Sequence, residues 1–137
     1  MAKPITYNIL NSLCKAVKTT GIKYLYIINR PDVSHEQTEF VVIDLPSEIK
    51  RKTKGEDDFL LETEGIFYLG VKSKGNNTPN IEKQTELAQK LMNLFPIQDD
   101  YIVATRPSLL FEGSDKSNFQ ITTIAFNIRT KINSFNH

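Results

Sequence analysis

Asn118-Phe119-Gln120-Ile121-Thr122-Thr123-Ile124-Ala125-Phe126-Asn127-Ile128-Arg129-Thr130-Lys131 reads as one long β-strand. Side chains alternate between the two faces of a strand. Thr122, Ile124, Phe126 and Ile128 therefore share one face suited to a core. Ile121, Thr123, Ala125 and Asn127 share a more mixed one, which is expected to meet a partner.

Working backwards, Gly113-Ser114-Asp115-Lys116-Ser117 is a turn. Before it, Tyr101-Ile102-Val103-Ala104-Thr105 is a strand that Arg106-Pro107 should end, because proline cannot donate to a ladder. Ser108-Leu109-Leu110-Phe111-Glu112 is then a short continuation. Further upstream, Lys74 to Pro79 is a turn that doubles as a helix start, with Thr78 as N-cap and Pro79 in the first helical position. The helix should bury Ile81, Ala88, Leu91, Met92 and Phe95, with Leu87 and Leu94 at the margins, until Pro96 stops it.

Ile5, Ile9, Leu13 and Val17 recur every four residues and predict an amphipathic first helix, closed by Thr19-Thr20-Gly21. Two aromatic and β-branched runs follow, Lys23 to Asn29 and Thr38 to Leu45, each stopped by a proline shortly after. The polar stretch Asp32 to Gln37 suggests that they pair antiparallel as a hairpin. Ser47 to Asp58 is almost wholly charged or small and predicts an exposed loop. Phe59 to Ser73 reads as a strand with a bend or bulge at Gly65. The order helix, strand, strand, strand, helix, strand, strand predicts one α+β domain over 1–137. Its sheet is mixed but mainly antiparallel, of about five strands packed by two helices. Residues 133–137 read as a loose tail.

Composition narrows the function classes. At 137 residues, with 39% hydrophobic and 24% charged residues, the chain fits one ordinary globular domain. Seventeen basic against sixteen acidic residues leave a charge of +1, far from the strongly basic balance of a dedicated nucleic-acid binder. The lone Cys14 allows no internal disulfide, and the first residues lack the apolar core of a signal peptide, which together point to the cytoplasm. No apolar run approaches the roughly 18 residues that span a bilayer.

No catalytic or metal-binding set is expected, and no cofactor is implied. The two histidines, His35 and His137, lie in a polar loop and at the terminus. Cys14 sits beside the apolar stripe of the first helix, where packing explains it. The carboxylate groups Glu56-Asp57-Asp58, Glu62/Glu64 and Asp99-Asp100 fall on turns or on the solvent side of a strand. Lys50-Arg51-Lys52-Thr53-Lys54 is a basic cluster without interleaved aromatics to stack on bases, so a solvated loop explains it, with contact to an acidic partner or to DNA phosphates as the alternative.

Taken together, the amino-terminal helix, the strands at 23–29 and 39–45, the charged excursion, the helix at 79–95 and the closing segment Arg106 to Arg129 resemble the tail-terminator and tail-completion proteins of long-tailed phages. The resemblance implies a non-enzymatic ring, hexameric in that group, that caps the tail tube and joins it to the head-side connector, with DNA passing through the lumen. Its implied partners are further copies of itself, tail-tube proteins and head-connector proteins, with no membrane involved. It implies cytoplasmic assembly, and a place in the virion if the chain is phage-encoded. Ile121, Thr123 and Ala125 are then candidate subunit-interface residues, and Lys50, Arg51, Lys52 and Lys54 a candidate lumen or partner loop. Two other readings stay open: a ligand-binding domain or enzyme that gathers Tyr24, Tyr26, Arg30 and Arg106 around an anion, and a monomeric adaptor that binds another protein.

Overall fold

A computed structural model describes residues 5–28, 38–51, 61–75, 78–115 and 118–130. The fold is α+β. Helix α1 (Ile5–Lys18) precedes β1 (Leu25–Ile27), β2 (Glu39–Asp44), β3 (Lys50–Arg51) and β4 (Leu61–Lys72). Helix α2 (Ile81–Met92) precedes β5 (Ile97–Gln98), β6 (Ile102–Ser114) and β7 (Phe119–Thr130). The strands form one sheet in the order β1-β2-β4-β7-β6-β5, with β3 added alongside β4. The element order is the expected one with two two-residue strands inserted.

Both helices cover the same sheet face. Ile9, Leu13 and Val17 of α1, and Leu87, Ala88 and Leu91 of α2, bury against Val41, Ile43, Phe67, Leu69, Ile124, Phe126 and Ile128. These strand residues share one face by register: Phe67 lies opposite both Ile43 and Ile124, and Leu69 opposite Val41 and Thr122. The alternation read along β7 is thus the burial observed, with Thr122, Ile124, Phe126 and Ile128 all inside. Gln84 crosses the helix–sheet layer, its amide donating to Thr122 Oγ1 at 2.9 Å. That bond satisfies two buried polar groups that would be costly alone.

Several local expectations need correction. Strands β1 and β2 run parallel, Leu25 facing Val41 and Ile27 facing Ile43, so they are not a hairpin. Composition sets strand propensity but not direction, and the eleven residues 28–38 are near the length a parallel crossover requires. Gly65 marks no bulge, because β4 and β7 stay in unbroken register over all twelve residues. A Cβ at Gly65 would come within 2.6 Å of the Phe126 ring, so the glycine is a seat for that ring. Gly70 does the same on the opposite face, where a Cβ would lie 2.2 Å from Phe40.

Arg106-Pro107 does not end its strand. β6 continues to Ser114 through an irregularity between Thr105 and Ser108, where Arg106 takes a φ of 58°. Three steps of β6 there span two of β7, the signature of a bulge, which lets proline sit inside a ladder. The cap of α2 is Asn80, whose side chain accepts from the Lys83 amide, and not Thr78. Thr78 is engaged in a bridge with Lys74, which moves the helix start two residues on. Ile81 at that start is exposed, while Leu87 is buried rather than marginal. Ser47 to Arg51 is not a free loop: Thr63 Oγ1 donates to the Ser47 and Glu48 carbonyls, and Lys50-Arg51 pairs with β4.

Candidate functional site

The outer face of the sheet, away from both helices, and the end of β6 hold the residues that packing does not explain. At the β1–β2 end of this face, Phe40, Val42 and Phe119 form a small second core, bordered by Tyr24, Tyr26, Tyr68 and Ile121. Phe40 and Phe119 meet edge to face at 5.1 Å between ring centroids. Burial pushes the Tyr68 hydroxyl above its usual pKa, and the carboxylates of Asp44 and Glu112 add to the effect.

In the middle of the face stand the three residues expected at a subunit interface. Ala125 lies between Ile66 and Ser108, Thr123 between Tyr68 and Leu110, and Ile121 between Gly70 and Gly113. All three are half-buried and point the same way. The structure therefore gathers them in one stripe.

The far end of the face is polar. A groove of about 620 Å³ is lined by Ser47, Glu48, Lys50, Glu62, Glu64 and Arg106 among others. Glu62 stands opposite Arg129 in the ladder, and Ser47 Oγ donates to Glu64 Oε2 at 3.1 Å. Acidic and basic groups alternate around it, which suits no single charge of ligand. Arg106 belongs to this groove, whereas Tyr24 and Tyr26 border the aromatic cluster. Three strands, β2, β4 and β7, separate β1 from β6. These residues of the anion-pocket reading are not brought together, and Arg30 lies outside the described residues. Of the basic loop, Lys50 and Arg51 are exposed on β3, while Lys52 and Lys54 lie outside the described residues.

One exposed apolar run was not singled out by the sequence. Leu109, Leu110 and Phe111 on β6 are 39%, 59% and 52% exposed. Strand β5 covers β6 only at Val103 and Ala104, so from Thr105 onward the outer edge of β6 has no strand partner among the described residues. A second bulge, between Phe111 and Gly113, follows at once, with Gly113 at a φ of 91°. The signal available in the sequence was three consecutive apolar residues between two irregularity-forming dipeptides, Arg106-Pro107 and Glu112-Gly113.

Burial pushes the Cys14 thiol up, with Lys18 partly opposing, and its side chain packs against the main core. Asp99 Oδ1 accepts from the Tyr101 and Ile102 amides and so shapes the turn into β6. Burial alone would raise Glu39, but hydrogen bonds from Lys83 at 2.7 Å and from Thr38 hold its carboxyl below the usual range.

No family model matches the chain, and no curated protein matches it. Among solved structures, one chain that carries no functional name is similar in fold, with a TM-score of 0.50 at 13% identity. The match covers 89% of this chain and 96% of that one. At that identity the likeness concerns the fold alone. No helix among the described residues is long and apolar enough to cross a membrane.

Proposed function

We propose that this protein is a non-enzymatic structural component that works by self-association into a ring, as the phage tail-terminator resemblance implies, capping a tail tube and joining it to a head-side connector. The observation that carries the reading is the end of β6, which has no outer strand partner among the described residues: Leu109, Leu110 and Phe111 are exposed there, Leu110 beside Thr123 of the half-buried stripe Ile121, Thr123 and Ala125, and Leu109 and Phe111 on the other face. Contiguous exposed apolar residues on a soluble fold mark contact surfaces. A charge-balanced groove without convergent groups of one sign gives weaker support to the ligand-binding reading. A ring needs two different patches per subunit, joined head to tail.

Negative-stain imaging of concentrated, purified protein tests this. Annular particles of uniform diameter are expected, and a field of single-chain particles alone would overturn the reading.

A further inference from the structure

The polar groove at the far end of the outer face carries both signs of charge, in Glu48, Glu62 and Glu64 and in Lys50, Arg106 and Arg129. Not all of these groups are available. Lys50 pairs with Glu48 at 3.5 Å, and Arg129 has an interaction of its own. Ser47 Oγ donates to Glu64 Oε2 at 3.1 Å, which orients that carboxylate and leaves Oε1 without a partner among the described residues. Glu62 and Arg106 make no hydrogen bond or ion pair among the described residues.

The available groups are ordered across the groove floor. Glu64 on β4 faces Asn127 on β7, and Asn127 faces Thr105 on β6, with Arg106 next along at the bulge. Neighbouring strands lie about 4.8 Å apart, so the carboxylate strand and the guanidinium strand are separated by roughly 10 Å. The groups between them, the Asn127 amide and the Thr105 hydroxyl, are neutral and make no hydrogen bond among the described residues. Arg106 holds its place against its own backbone preference. Its φ of 58° is left-handed, which a Cβ disfavours, and a residue before proline favours an extended conformation instead. Backbone strain of this kind clusters at ligand-binding and catalytic sites.

The geometry points to this groove as a binding site for a small zwitterion, its carboxylate on Arg106 and its ammonium on Glu62 and Glu64. Arginine suits the carboxylate because it can bind both oxygens at once. The Asn127 amide and the Thr105 hydroxyl serve polar atoms in the middle of the ligand. A ligand with a single charge would be attracted at one end of the floor and repelled at the other. The class that fits is a short chain with ammonium and carboxylate at opposite ends, as in a dipeptide or an ω-amino acid. The inference does not rest on the ring reading.

Titration followed by amide NMR shifts at pH 7 and low salt tests it, with glycylglycine and 5-aminopentanoate as probes and pentylamine and pentanoate as singly charged controls. Both zwitterions should give saturable shifts at millimolar concentration, centred on the amides of residues 62–64, 105–106 and 127–129. Each control should bind at least about tenfold more weakly. Glu64→Gln and Arg106→Gly should each weaken the zwitterions by at least about tenfold, and Arg106→Lys by less. Glycine adopts a left-handed φ freely, so Arg106→Gly should lose binding with no fall in melting temperature. Absence of saturable shifts with both zwitterions would overturn the inference. So would controls that bind as well as the zwitterions, or an Arg106→Gly protein that binds like the wild type.

Discussion

The two halves of β6 sit on the same neighbour, β7, and have opposite fates. Ile102, Val103 and Ala104 are buried, whereas Leu109, Leu110 and Phe111 are exposed, although both runs are apolar and both pair with β7 in register. The first half has β5 alongside and the main core beneath. The second half, past the Arg106-Pro107 irregularity, has neither among the described residues. The same kind of sequence thus supports folding where the described chain covers it and leaves an exposed apolar run where it does not. Substitutions at the covered half should cost stability and leave association alone; those at the uncovered half should do the reverse.

The largest expected effect is at the covered centre. Phe67→Ala removes a fully buried ring that packs on Phe126 at 4.7 Å and on Phe95 at 6.0 Å. It should cost about 3–5 kcal/mol in chemical denaturation. Next, Gly70→Ala would drive a methyl into the Phe40 ring and should cost about 1–3 kcal/mol. A near-neutral Gly70→Ala would mean that the aromatic cluster on the outer face is loosely held, which would blur the contrast between the two faces.

A smaller effect belongs to Glu39. Its carboxyl titrates lower in the folded chain than in the unfolded one, so its contribution is complete above the ordinary carboxylate value of 4.5 and is lost as pH falls through the folded value. Lys83→Met should cost about 0.5–1 kcal/mol at pH 7, a difference that vanishes in acid. Denaturation curves of both proteins at pH 7 and pH 3 measure it. Smallest of all, Leu110→Ser should change monomer stability by no more than about 0.5 kcal/mol. A loss as large as that of Phe67→Ala would place Leu110 in a core and remove the contrast altogether.

Much of this fold is legible in the residues. The alternation from Thr122 to Ile128 picks out the buried face, and Gly21, at a φ of 84°, closes the first helix as its position suggests. Strand direction is not legible at Leu25 to Ile27, because parallel and antiparallel neighbours ask for the same β-branched and aromatic side chains. Gly65 was ambiguous for a different reason: whether a glycine in a strand is a bulge or a seat for a ring depends on what stands opposite, here Phe126. That Ile121, Thr123 and Ala125 share one half-buried face could be read from periodicity. The exposure of Leu109 to Phe111 could not, since a short apolar run reads as a buried strand, and only the packing of the described residues shows it uncovered.

The central claim is that the uncovered end of β6 exists to bind other copies of this chain. Absolute mass by light scattering, across a concentration series at low and moderate salt, tests it most directly. The account predicts a mass that rises from 15.6 kDa to a plateau at a fixed multiple of it, as a closed ring requires. A mass that stays at one chain at every concentration would contradict it.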